Sequence, residues 1–230
     1  NNGAGKSTFF LLANGVLLPK TGQIYLKNEA IGHSRKELNK LRRTVGLVFQ
    51  DPEVQILAGT VEEEISFGPV NLGLADAEVL RRVNNEIEKF DLEAFRMRAP
   101  QYLSGGEKKR VTLADVLAMQ PEIILLDEPT ASLDCTNLSL LEQNLEKLSR
   151  HGLALAVATH DMDFVWRWAE RVIVLCGGHL MADDTPEVIF ADEALLESCG
   201  LSQPMLYKVG KALGMTKLPR RVEELNGVKR

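Results

Sequence analysis

Apolar residues along the chain fall into short runs separated by polar and glycine-rich stretches, and two kinds of spacing alternate. Gly22 to Leu26, Thr44 to Phe49, Ile123 to Leu126, Leu153 to Ala158 and Arg171 to Leu175 are brief and largely apolar, the pattern of strands buried within a sheet. Asp76 to Phe90 instead carries polar and apolar residues at helical spacing and predicts a helix opened by an Asp cap. Gly177-Gly178 predicts a hairpin, and Thr185-Pro186 predicts a helix start with a cap and a first-turn proline. From about Gly59 to Met119 there is almost no strand signal, so this span is expected to be a helical insert. Strands alternating with helices predict an α/β fold with a mostly parallel sheet core, ending in a short C-terminal helical tail.

Composition narrows the class. A chain of 230 residues, 45% hydrophobic and 26% charged, can bury one sizeable core or two small ones. A net charge of -5 speaks against a broad basic surface, and no nucleic-acid partner is expected. Apolar runs such as Phe9 to Ala13 and Leu153 to Ala158 are far shorter than the roughly 18 residues of a membrane span, so any membrane role is expected to pass through a partner. Cys135, Cys176 and Cys199 form no CxxC pair, and a reducing cytoplasm is the simplest compartment. The sequence opens on Asn1, directly in a glycine-rich loop, and an upstream segment is expected, with a strand running beside Ile123 to Leu126.

Three constellations carry chemistry. Asn1-Asn2-Gly3-Ala4-Gly5-Lys6-Ser7-Thr8 matches the phosphate-binding loop G-x-x-x-x-G-K-[ST], its first glycine falling one position before Asn1. Such a loop closes backbone N–H groups around phosphate oxygens, Lys6 supplies a point charge and Ser7 an Mg²⁺ ligand. A glycine turn capping a helix would use the same residue types. Asp127 and Glu128 end the apolar strand Ile123 to Leu126, where a parallel sheet opens its ligand crevice. Asp127 would hold Mg²⁺ through water and Glu128 would act as general base. An acidic pair can also merely end a strand, but that leaves the phosphate loop in the same chain unexplained. In Leu103-Ser104-Gly105-Gly106-Glu107, Ser104 and Glu107 form a capping box, and a capped helix start with two glycines is also an anion site.

Leu103 to Glu107 also resembles the signature sequence of ABC proteins, which usually has Gln where Glu107 stands. Gln50, after the strand Thr44 to Phe49, resembles their glutamine loop. Ser132-Leu133-Asp134 resembles the loop that crosses their dimer interface, and His160, in Thr159-His160-Asp161, the switch histidine that contacts the γ-phosphate. His33, His151 and His179 have no such context. With all elements in the family's order, the chain is identified as a member of the ABC ATPase subunits. The resemblance implies a P-loop NTPase fold with a helical signature subdomain, within a nucleotide-binding domain at residues 1–184, incomplete at its N-terminus, followed by a C-terminal helical extension at 185–230. It implies ATP bound by Asn2, Gly3, Ala4, Gly5, Lys6, Ser7, Thr8 and Gln50, with Mg²⁺ held by Ser7, Gln50 and Asp127. Glu128 and His160 are the implied catalytic residues, and Leu103 to Glu107 reach the ATP of an opposite subunit, same or different, paired head to tail. An adenine-stacking aromatic residue and early strands are implied upstream.

A narrower resemblance is to the cobalt/nickel-import and energy-coupling-factor ATPases. It rests on Val48-Phe49-Gln50-Asp51-Pro52-Glu53-Val54-Gln55, on Phe67 to Gly73 and on Cys199-Gly200-Leu201-Ser202-Gln203-Pro204. What it implies is ATP hydrolysis coupled to uptake of cobalt or nickel ions through integral membrane subunits, at the cytoplasmic face of the cell membrane. The alternatives are an energy-coupling-factor ATPase driving vitamin uptake, or a non-transport ABC ATPase. Chromosome-acting members are disfavoured because Lys6 and Ser104 lie too close in sequence to enclose a long coiled coil.

Overall fold

A computed structural model describes residues 3–131 and 133–225, which divide by packing into two units: Ser7–Ala158, and Asn1–Lys6 with Thr159–Arg230. In the first unit α1 (Lys6–Ala13) is followed by an antiparallel hairpin of β1 (Ile24–Leu26) and β2 (Glu29–Ile31). Its turn residues Lys27 and Asn28 both take positive φ, 51° and 66°, as a tight two-residue hairpin requires. Helix α2 (Arg35–Thr44), closed by a capping box between Ser34 and Glu37, leads directly into β3 (Val45–Val48). Four helices follow: α3 (Pro52–Gln55), α4 (Val61–Asn71), α5 (Asp76–Lys89) and α6 (Gly105–Ala118). The chain then forms β4 (Ile123–Asp127), α7 (Cys135–Arg150) and β5 (Ala154–Ala158).

Strands β3, β4 and β5 pair in that order, both pairs parallel, with Val45 opposite Ile123 and Ile123 opposite Ala154. This is the expected parallel core, and among the described residues antiparallel pairing is confined to hairpins. An upstream strand beside Ile123 to Leu126 was the expectation; β4 instead has β3 on one side and β5 on the other. The apolar run of β5 supplies that second partner, so the backbone of β4 is paired along both edges. Ile124 and Leu126 are fully buried. Phe10 of α1, Leu26, Ile31, Leu41, Val45, Leu125 and Ala158 form one apolar cluster that joins α1, the first hairpin and α2 to the sheet. Where β3 meets α6, a Cβ on Gly46 would lie 2.4 Å from Val116 Cγ1, so only glycine lets strand and helix approach this closely.

No strand interrupts the span between β3 and β4, and the helical insert is as expected. The cap of α5 is a correction. Ala75 occupies the N-cap position and makes no side-chain bond, while Asp76 lies inside the first turn, where its charge favours the helix dipole instead.

In the second unit α8 (Met162–Trp168) precedes β6 (Val172–Cys176) and β7 (His179–Asp184), an antiparallel hairpin turning at Gly177-Gly178 as the two glycines predict. Helices α9 (Pro186–Ala191), α10 (Glu193–Ser198) and α11 (Met205–Ala212) form the tail. Thr185 stands at the N-cap of α9 with Pro186 following, but its side chain makes no capping bond. This unit is built around Trp166, whose ring meets Phe190 and Tyr207 edge-on with centroids 5.9 and 5.2 Å away. The indole N–H donates to the Pro219 carbonyl at 2.8 Å, so the buried polar edge is satisfied. Among the described residues no helix is long and apolar enough to cross a membrane.

One buried group ties the insert's stability to pH. Asp115 of α6 accepts a hydrogen bond from Gln55 Nε2 at 3.2 Å. Loss of water around its carboxyl pushes the pKa up to about 7, the Gln55 bond acts against this, and the charge of Glu64 on α4 adds to it. The folded chain therefore retains a proton that the unfolded chain releases, and stability falls as pH rises from roughly 4 to roughly 7. Asp115→Asn keeps an acceptor for Gln55 and removes the titration. Its melting temperature relative to the native protein should rise between pH 5 and pH 8, by the equivalent of roughly 1–3 kcal/mol. Parallel melting curves of the two proteins across that range would instead place the Asp115 carboxyl near its ordinary value.

Candidate functional site

The glycine-rich loop ends where α1 begins. Gly3 and Gly5 have φ of 77° and 100°, a conformation that side-chain-bearing residues rarely take, and this is what turns successive N–H groups inward. Ala4 is buried, and its carbonyl accepts from the N–H of Gly178 at 3.1 Å, so the turn of the β6–β7 hairpin props the loop. Ser7 and Thr8 are exposed in the first turn of α1, which carries no acidic residue of its own. Phe10, one turn on, is buried and anchors the helix. Such a helix start leaves N–H groups and positive dipole for an anion. Asn2 lies outside the described residues.

Asp127 and Glu128 emerge at the C-terminal end of β4, and both are buried. Glu128 has a φ of 45°, an uncommon conformation for a non-glycine residue, held in place by its N–H donating to the Ala158 carbonyl of β5 at 2.8 Å. Oδ1 of Asp127 is buried and has no hydrogen-bond partner among the described residues. A carboxylate oxygen in that state is costly unless a cation or its water shell satisfies it. Ser7, Gln50 and Asp127 offer only oxygen donors, the preference of Mg²⁺, so the residues present fit the ion.

The signature residues stand at the start of α6. Leu103 is buried, Ser104 and Gly105 are exposed, and the capping box forms: Ser104 Oγ accepts from the Glu107 N–H at 3.3 Å, and Glu107 Oε2 accepts from the Ser104 N–H at 2.6 Å. The bond from the Ser104 N–H foremost, helped by the Ser104 side chain and opposed by burial, holds the Glu107 carboxyl below the usual carboxylate range. A Cβ on Gly106 would lie 2.6 Å from the Asn137 side chain, so α6 starts in direct contact with the first turn of α7. That turn is capped by Asp134, which is exposed and accepts from the Asn137 N–H at 2.8 Å. Ser132 lies outside the described residues.

The structure thus brings Gly106 and the Asp134 turn together, and a lysine joins them to the carboxylates. Lys109 of α6 donates through Nζ to the carbonyls of Pro129, at 3.0 Å, and Ala131. Burial pushes its pKa down, opposed by the charge of Glu128. In the sequence Lys109 is one member of a basic run, and no local signal distinguishes it. Gln50 is exposed just beyond β3. In the other unit His160 is also exposed, between buried Thr159 and Asp161, which caps α8 by accepting from Phe164 N–H at 2.9 Å.

Residues 1–131 match the family described as ABC transporter. The chain is 46% identical over 203 residues to the energy-coupling factor transporter ATP-binding protein EcfA of Methanothermobacter thermautotrophicus, a match covering 88% of this chain and 65% of that protein's length. Its fold superposes with a TM-score of 0.75 and 36% identity on cbiO1 from Clostridium perfringens, part of the ABC transporter complex cbiONQ, covering 94% of this chain and 85% of that one. It is also similar to an ATP-binding cassette solved as a dimer in a post-hydrolysis state with ADP and Pi, at TM-score 0.71 and 31% identity, covering 81% of this chain and 82% of that one. With the family match spanning more than half of its residues, and relatives this similar along most of the remainder, the chain belongs to the ABC transporter family, among its ATP-binding subunits.

Proposed function

We propose that the chain hydrolyses ATP to ADP and phosphate as the energy-supplying subunit of an ABC-type importer, seated against integral membrane subunits at the cytoplasmic face of the cell membrane. The observation that carries this reading is the buried pair Asp127 and Glu128 at the end of β4, with an oxygen of Asp127 lacking a partner among the described residues. Gly3, Ala4, Gly5, Ser7 and Thr8, with Asn2 before them, present the N–H groups that bind phosphate, and Lys6 adds its charge. Mg²⁺, when bound, would neutralise negative charge on the phosphates. Ser7, Gln50 and Asp127 are the residues that would hold it, Asp127 through water.

Glu128 takes a proton from the attacking water as the water oxygen bonds to the γ-phosphorus and the bond to the ADP oxygen breaks. Its unusual backbone angle sets where the side chain leaves the main chain, and Lys109 holds the segment that follows through the carbonyls of Pro129 and Ala131. His160 contacts the γ-phosphate in this reading. Leu103, Ser104, Gly105, Gly106 and Glu107, with Ser132 and Asp134, serve the ATP of a second ABC ATPase subunit, and the dimeric cassette with ADP and Pi supports that pairing. Residues 1–184 act as the nucleotide-binding domain and 185–230 as its C-terminal extension.

The names of the relatives support an energy-coupling-factor transporter. Its cargo on the narrower sequence resemblance is cobalt or nickel ions, and the second reading is a vitamin, which fits the EcfA name of the relatives. Isolation of the complex from its native membranes, with identification of the subunit that captures the cargo, separates the two.

Replacing Glu128 by Gln in the full-length protein should lower ATP turnover by at least ~100-fold while leaving ATP binding within a few-fold of native, because only proton acceptance is removed. Turnover and nucleotide titration on the same preparation check this, and near-native turnover would remove Glu128 from its role. The composite site makes a second demand. Lys6→Ala and Ser104→Arg should each silence a homodimer, whereas mixing the two variants regenerates one intact site per mixed pair. Activity that fails to reappear on mixing, or that survives in either homodimer, contradicts a site shared between subunits.

A further inference from the structure

Gln55, the last residue of α3, uses its whole amide to join two parts of the first unit that the sequence keeps far apart. Its Oε1 accepts from the N–H of Phe49 at 3.1 Å, and its Nε2 donates to the Thr112 carbonyl at 3.3 Å and to Asp115 Oδ2 at 3.2 Å. The orientation of the amide follows from its partners, because Phe49 offers only a donor and Thr112 only an acceptor. Phe49 directly precedes Gln50, while Thr112 and Asp115 belong to α6, whose N-terminus carries the signature residues.

The link is reinforced on both sides. Lys108, Thr112 and Asp115 lie at i, i+4 and i+7 on one face of α6, and Lys108 forms an ion pair with Glu53 of α3. Asp51 caps α3 by accepting from the Glu53 N–H at 2.9 Å. Gln50 is therefore bracketed: Phe49 before it is held by Gln55, Asp51 after it is held by the cap, and α3, which follows at once, is fastened to α6 at two points. Glu64 of α4 closes the far side, its carboxylate accepting from the N–H groups of Leu57 and Ala58 at 2.8 and 2.7 Å.

We infer that Gln55 is a positioning residue that makes the Gln50 loop move as one body with the signature helix. The inference rests on the ATPase reading above for its consequence. A shift of α6 when its N-terminus meets the ATP of the opposite subunit is carried by Gln55 to the backbone beside Gln50, with no rearrangement of β3 needed. Gln55 touches no reacting atom, so its loss should slow turnover and leave nucleotide affinity nearly intact.

The test compares the full-length native protein with Gln55→Ala, Gln55→Glu, Asp115→Asn and the double variant Gln55→Glu/Asp115→Asn. Glutamate at position 55 still accepts from Phe49 but loses both donations, and in assays run well above the Asp115 pKa of about 7 it faces an ionised carboxylate. In the double variant an asparagine amide donates back to the new carboxylate, restoring the bond with its polarity reversed. Gln55→Ala and Gln55→Glu should lower kcat for ATP ~10-fold with KM changed less than ~3-fold, and the double variant should recover most of the loss. Amide hydrogen exchange should accelerate across Phe49 to Asp51 in Gln55→Ala, remain native in α5, and return toward native in the double variant. Native kcat in both single Gln55 variants, a double variant as slow as Gln55→Glu, or native exchange at Phe49 in Gln55→Ala would each overturn the inference. Should the native protein hydrolyse no ATP, the ATPase reading fails separately, and exchange alone decides the link: unchanged exchange overturns it, accelerated and rescued exchange supports it.

Discussion

Strand β4 is the constraint on which the first unit depends. Its apolar residues can be buried only if every backbone N–H and C=O finds a partner, and parallel pairing to β3 on one side and β5 on the other supplies them. Parallel strands cannot be joined by tight turns, so long connections must run between them. The connection from β3 to β4 is the helical insert and that from β4 to β5 is α7. The strand ends abruptly at Asp127 and Glu128, and the bond from the Glu128 N–H to Ala158 shows the sheet holding the second carboxylate one residue beyond the last ladder pair. A positive φ at Glu128 is the consequence: the chain must leave the sheet at once.

Helix α6 distributes this constraint through the rest of the unit. Its successive residues meet different neighbours: Gly106 packs on α7, Lys109 holds the segment after Glu128, the Thr112 carbonyl and the Asp115 carboxyl accept from Gln55, and Val116 packs on the bare backbone of Gly46. A helix fastened on this many sides transmits a displacement rather than absorbing it, because close-packed contacts have few intermediate arrangements. Small residues set the closest approaches, at Gly46 and Gly106, and long polar ones span the wider gaps.

Periodicity made most elements legible, because burial on one face or two leaves a local trace. The run Thr44 to Phe49 exceeds β3 by one residue at each end, while Ile123 to Leu126 stops one residue short of the end of β4, because residue type does not mark where pairing starts or stops. The cap of α5 was misplaced by one residue because Asp favours both the N-cap and the first turn, for different reasons. Strand order was less legible: which run pairs with β4 depends on contacts far along the chain, and Leu153 to Ala158 carries no mark of its neighbour. Gln55 and Lys109 were invisible for the same reason. A glutamine in a turn and a lysine in a basic run have ordinary surface explanations until the fold shows what they reach.

The signature start of α6 shows why order along the chain was more informative than any single motif. Ser104 and Glu107 satisfy each other's backbone N–H groups, which is reason enough for both residue types at a helix start. Glutamine at the third helical position would close the same box, so the departure from the family's usual Gln costs the helix nothing in that role. The glycines between them are what the box does not require. Among the described residues nothing lies near the place of a Cβ on Gly105, whereas a Cβ on Gly106 would force the Asn137 side chain to shift. Glycine at the second position is explained by packing within this chain. At the first it leaves an exposed, side-chain-free N–H at a capped helix end, a surface shaped for an incoming anion rather than for any contact the chain makes with itself.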